Sequence, residues 1–158
     1  MKKICVLVAF LLIAQYSNAQ LSVIVDTLNG WLTVGVQEEE IISQLGLPDS
    51  QTEPEVWEFT GHKYYYLHYD NLGLNVLIED DTRCASVYAI EVYSKSQFST
   101  SRDVSVGDSR KYVCKQYGDL ENFHEVKDVI ILNTIYEGTC FVFQDDILVK
   151  IHLGPLAD

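Results

Sequence analysis

Apolar and polar positions alternate along most of this chain. The period-2 pattern, rich in Val, Ile, Tyr and Phe, predicts strands at 56–59, 64–69, 72–78, 85–93, 126–136, 139–143 and 147–153. Two intervening stretches follow the helical period instead. Ile41, Ile42 and Leu45 share a face of the first, and Val113, Cys114 and Tyr117 a face of the second. Gly46 and Gly118 predict left-handed stops for these helices. At their starts, Ser109 suits an N-cap and Gln37 does not. Glu38, Glu39 and Glu40 set negative charge against the positive end of the helix dipole.

The elements also repeat. The block from Thr33-Val34-Gly35 to Leu45-Gly46 returns as Ser105-Val106-Gly107 to Tyr117-Gly118, with both glycine pairs 72 positions apart. A second block, 73–81, matches 138–146 at an offset of 65. Blocks duplicated in fixed order indicate a duplicated supersecondary unit. The expected fold class is therefore α+β: two tandem helix-plus-antiparallel-meander repeats, with the helices packed on one face of the sheet. The expected divisions are a signal peptide at 1–19, an N-terminal segment with the first repeat at 20–101, and the second repeat at 102–158. Asp80-Asp81 and Asp145-Asp146 fall between consecutive strands and read first as turn residues, second as cation ligands.

The chain opens with Met1-Lys2-Lys3, an apolar run over 4–14 and Ser17-Asn18-Ala19. That order predicts a secretory signal peptide cleaved after Ala19. The run is shorter than the roughly 20 apolar residues a membrane span needs. Cys5 lies inside it and not at the cleavage point, so neither a membrane span nor a lipid anchor is expected. The expected product is exported, periplasmic or secreted. Its charge then matters: loss of Lys2 and Lys3 leaves nine of the 11 basic side chains against 23 acidic ones, near −14. Such a surface repels nucleic acid and suits a basic partner or a divalent cation.

Three cysteines follow the leader: Cys84, Cys114 and Cys140. An oxidising compartment favours pairing, and Cys114 with Cys140 is the candidate disulfide because both lie in the second repeat. Strand alternation, which can turn Cys140 away from the helix, is the objection to it. No zinc or redox spacing occurs, and Gly-x-Ser-x-Gly, His-Glu-x-x-His and phosphate-loop motifs are all missing. The residues point to a protein that is not an enzyme and carries no cofactor or metal. His62 and His68 would stand roughly 20 Å apart on an extended strand, too far to share one ion.

Alternation places His62, Tyr64, Tyr66 and His68 on one strand face, with Lys63, Tyr65, Leu67 and Tyr69 on the other. Two readings stand for the first set: an exposed binding strip, or half-buried strand tyrosines with their hydroxyls at the rim. As a binding strip, Tyr64, Tyr66 and His68 are the candidate partner-binding anchors, with Trp57 close by.

The glycine-polar-aliphatic-Leu-Gly block followed by a hairpin with an acidic turn resembles a known superfamily repeat. That repeat is shared by the β-lactamase inhibitor protein and a small lipoprotein of the outer-membrane assembly machinery. Gly35, Ile41, Leu45, Gly46 and Pro48 carry the resemblance in the first copy, and Gly107, Ser109, Val113 and Gly118 in the second. Tyr117 stands where leucine is usual, and no proline follows Gly118. The resemblance spans residues 30–153, and two tandem units look more like the inhibitor. It implies non-enzymatic binding of another protein on a concave sheet surface, as an inhibitor or envelope-assembly factor. The matched positions are fold positions, so no binding residue transfers. The alternative is a small-ligand or divalent-cation-binding envelope protein that uses the acidic turns.

Overall fold

Among the described residues, antiparallel pairing joins nine strands into one sheet. The computed structural model describes residues 26–94, 96–134 and 137–156; the predicted signal peptide, 1–19, lies outside them. In chain order the elements are α1 (Glu38–Leu45), β1 (Ser50–Gln51), β2 (Glu55–Val56), β3 (Lys63–Tyr69), β4 (Leu74–Asp80) and β5 (Ala85–Val92). They continue with α2 (Arg110–Tyr117), β6 (Phe123–Val126), β7 (Val129–Asn133), β8 (Gly138–Gln144) and β9 (Ile147–Gly154). Neighbouring strands run β1-β3-β4-β5-β9-β8-β7-β6, with β2 also paired to β3. The final strand thus lies against β5, through Ile90↔Leu153, Glu91↔His152 and Val92↔Ile151.

Period-2 alternation puts Tyr65, Leu67 and Tyr69 of β3, Val76 and Ile78 of β4, Ile90 and Val92 of β5, Phe141 of β8 and Ile151 of β9 into one core. Its cover comes from Ile41 of α1, Val113 and Tyr117 of α2, and the non-helical residues Leu28, Leu32, Phe98 and Val104. The inward tyrosines also tie down α1. Tyr65 donates to Glu38 Oε2 at 2.8 Å and Tyr69 to the Gly46 carbonyl at 3.1 Å. At the other end, the buried Tyr117 hydroxyl donates to Asp26 Oδ2 and lies 2.7 Å from Thr100 Oγ1.

The expected two tandem helix-plus-meander repeats, with a helical layer on one face, are not what this chain builds. Among the described residues it builds one nine-stranded antiparallel sheet over a continuous core. The two α-helices among the described residues are eight residues each. Helices this short depend on packing for their stability, and each fully buries only one or two side chains, so loops share the cover. What repeats is a local start. Gly35 and Gly107 turn at φ 87° and 101°, and their N–H groups donate to Val87 O and Leu148 O, both at 2.8 Å. Each turn leads into a helix, Ser109 Oγ capping Tyr112 N while Gln37 makes no side-chain cap. The β5–β9 ladder then merges both halves into one sheet.

Three local expectations also change. Gly118 is helical at φ −67°, not left-handed; it is needed because a Cβ there would sit 2.5 Å from the Cys114 carbonyl oxygen. The predicted strand at 126–136 is broken near its start, where Val126 ends β6, Lys127 turns at φ 51° and β7 takes over at Val129–Asn133; residues 135–136 lie outside the described residues. The predicted strand at 56–59 ends at Val56, because the Gly61 N–H bonds back to the Trp57 carbonyl at 2.8 Å and closes a turn.

Candidate functional site: the sheet face opposite the core

The outward residues of β3, β4, β5, β8 and β9 form a second surface. Tyr64, Leu77 and Ala89 make a small apolar cluster there, with Trp57 and Tyr88 packed against it. Tyr88 reaches it through a β-bulge opposite Leu77 and Ile78, which turns both Tyr88 and Ala89 outward. Among the described residues no helical side chain belongs to this cluster.

The predicted anchors separate into two pairs. Trp57 lies flat on Tyr64, with centroids 3.9 Å apart and planes 19° apart, and Tyr88 meets both rings edge-on. Tyr64 is therefore only 2 % exposed, while Trp57 above it is half-buried. The Tyr64 hydroxyl donates to Glu79 Oε1 at 2.6 Å, and His62 Nδ1 lies 2.8 Å from the same oxygen. Burial, reinforced by Glu79, pushes the Tyr64 hydroxyl up to about 12. Tyr66 is 37 % exposed and stacks on His68, with centroids 5.7 Å apart. The His68 ring is held by Asn75 Oδ1, 2.8 Å from Nδ1. Tyr66 and His68 are thus surface features, Trp57 is partly so, and Tyr64 is the floor beneath it.

Sequence reading missed the neighbouring charged cluster. Glu91 and His152 face each other across the β5–β9 ladder. Lys150 Nζ lies 2.9 Å from Glu91 Oε1, and His152 Nδ1 3.6 Å from it. His152 and then Lys150 hold the Glu91 carboxyl down at about 2, against the opposing effect of its partial burial. His152 Nε2 also lies 2.7 Å from the Pro155 carbonyl. Tyr66, Tyr88, Cys140, Lys150 and His152 line a groove of about 220 Å³ over this part of the face. The only sequence signal for the cluster was outward alternation in β5 and β9, and their adjacency depends on a pairing 59 residues apart in the chain.

The candidate disulfide does not form. Cys84, Cys114 and Cys140 are free thiols. Cys114 packs from α2 against the core, whereas Cys140 points into the groove on the other side, with Phe141 taking the inward position. Burial pushes both thiols up. The acidic turns are engaged locally. Asp81 accepts from the Arg83 and Cys84 amides and pairs with the Arg83 guanidinium at 2.8 Å, holding its carboxyl at about 2. Asp146 accepts from Arg110 Nε at 2.9 Å. Asp145 and Asp146 are both left-handed, at φ 52° and 61°, in the β8–β9 turn.

No helix among the described residues is long and apolar enough to cross a membrane. No family model, curated protein or solved structure matches this chain.

Proposed function

We propose that this protein is an exported, non-enzymatic module that binds another protein through the sheet face opposite its core. The carrying observation is the run of Trp57, Tyr66, His68 and Tyr88 on that face, with Tyr66 37 % exposed and set by its stack on His68. Aromatic rings held by packing lose little entropy on association, and they dominate binding hot spots. The net charge, −12 for the full chain and near −14 without the predicted leader, favours a basic partner and speeds its approach. The inhibitor-like or assembly-factor role implied by the sequence resemblance belongs to this proposal. The leader-like N-terminus supports export.

The test is capture. Immobilised protein is exposed to envelope and culture-medium fractions of its source, and retained proteins are identified by mass spectrometry. One dominant partner, retained by the unaltered protein and lost with Tyr66→Ala, is the expected result. A partner that binds both forms equally, or no partner at all, overturns the reading.

A further inference from the structure

A second hollow lies beside the groove, at the edge of β3. β1 pairs with His68 and Leu67, and β2 with Tyr64 and Lys63, so residues 52–54 bow away between them. Thr52 anchors the bow, its N–H donating to Tyr66 O at 3.1 Å and its Oγ1 accepting from Tyr66 N at 2.9 Å. The resulting pocket, about 210 Å³, is lined by Glu53, Glu55, Trp57, Tyr64, Tyr66 and Leu77 among others. Glu55 is the cross-strand partner of Tyr64, so its side chain shares the aromatic face.

Two independent features select the same ligand chemistry. The aromatic wall is Trp57 and Tyr66, since Tyr64 is buried beneath Trp57, and an aromatic ring face carries the negative side of a quadrupole. Two exposed carboxylates stand at the rim, and no basic side chain lines the pocket. Among the described residues neither carboxylate has an ion-pair or hydrogen-bond partner. The contrast with Glu91 is direct, since that carboxylate is already paired with the Lys150 ammonium. We propose that this pocket receives an arginine side chain of the protein partner, the planar guanidinium lying on the rings and pairing with Glu53 and Glu55. A guanidinium suits the site better than an ammonium, because it stacks on rings and forks onto carboxylates. This inference rests on the protein-binding reading.

The probes are N-acetyl-arginine amide, N-acetyl-lysine amide and the uncharged twin N-acetyl-citrulline amide. Each is titrated at millimolar concentration into 15N-labelled protein while the Trp57 indole N–H resonance is followed, assigned with Trp57→Phe. The arginine probe is expected to shift this resonance saturably, at about tenfold lower concentration than citrulline and below lysine. The Glu53→Gln, Glu55→Gln double variant, whose side chains are exposed and whose fold is checked by circular dichroism, is expected to weaken arginine binding about fivefold or more. Equal response to arginine and citrulline, no response to arginine, or full binding by the double variant overturns the pocket. The two proposals fail separately. A captured protein that binds the double variant undiminished removes the pocket and leaves the module. Arginine-selective binding without any captured protein supports the pocket and removes the module.

Discussion

Trp57 covers Tyr64, ring on ring at 3.9 Å, so the two aromatic residues hold opposite positions on the same surface. Tyr64 is the support and Trp57 the contact. Tyr64→Ala opens a cavity beneath the indole and is expected to cost about 2–4 kcal/mol in urea denaturation. Tyr66→Ala, at a residue 37 % exposed, is expected to cost less than about 1 kcal/mol yet weaken partner capture at least about tenfold. Comparable stability losses for both, or capture unaffected by Tyr66→Ala, would contradict this division.

The Tyr117–Asp26 contact fastens the start of the described chain to α2. Asp26 is 4 % exposed and accepts from the Tyr117 hydroxyl and from the amides of Thr27 and Ser101 at 2.8 and 3.0 Å. Burial, then Asp26, pushes the Tyr117 hydroxyl well above the ordinary tyrosine range. Asp26→Ala removes the acceptor of the buried Tyr117 hydroxyl and of two part-buried amides and is expected to cost about 2–4 kcal/mol, against about 1–2 kcal/mol for Tyr117→Phe. Urea midpoints of the two variants check the order.

Acid should loosen the β5–β9 seam. The Glu91 carboxyl is held at about 2 when folded, below its ordinary 4.5. The carboxylate therefore binds a proton more weakly in the folded state than in the unfolded one. Its contribution is fully present above about pH 4.5 and is lost as the pH falls toward 2. Glu91→Gln is expected to lower stability by about 1–2 kcal/mol at neutral pH and to flatten this acid limb. Thermal melts at pH 7, 4 and 3 for both proteins read the difference, and parallel curves would remove Glu91 from the seam.

How much of this was legible follows from the range of each interaction. Alternation in β3 set Tyr65, Leu67 and Tyr69 on one face and Tyr66 and His68 on the other, because a strand's side-chain period is a local property, but alternation left open which face meets the core. It could not show that the chain folds Trp57 back over Tyr64, since that depends on the 57–62 turn. Gly35 and Gly107 were readable as turns for the same local reason. Reading the duplication as two units overreached, because unit boundaries are set by Glu91 meeting His152 across β5 and β9. Nothing near either residue in the chain encodes that meeting. Tyr88 was hidden by a bulge, which shifts alternation by one residue without a glycine to announce it.

Three free thiols in three environments give the last test. Cys84 is exposed, Cys114 is half-buried against the core, and Cys140 is buried in the groove on the opposite side of the sheet. A bridge between Cys114 and Cys140 would have to pass through the sheet, which no rotamer change achieves. Iodoacetamide should therefore modify Cys84 first. Desolvation raises the pKa of both other thiols and cuts their thiolate fraction, so their labelling should be roughly a hundredfold slower and released by urea. Intact-mass kinetics count the adducts, and peptide mapping assigns them. Recovery of a Cys114–Cys140 linked peptide from natively folded protein would show that α2 and β8 sit differently from the arrangement described above.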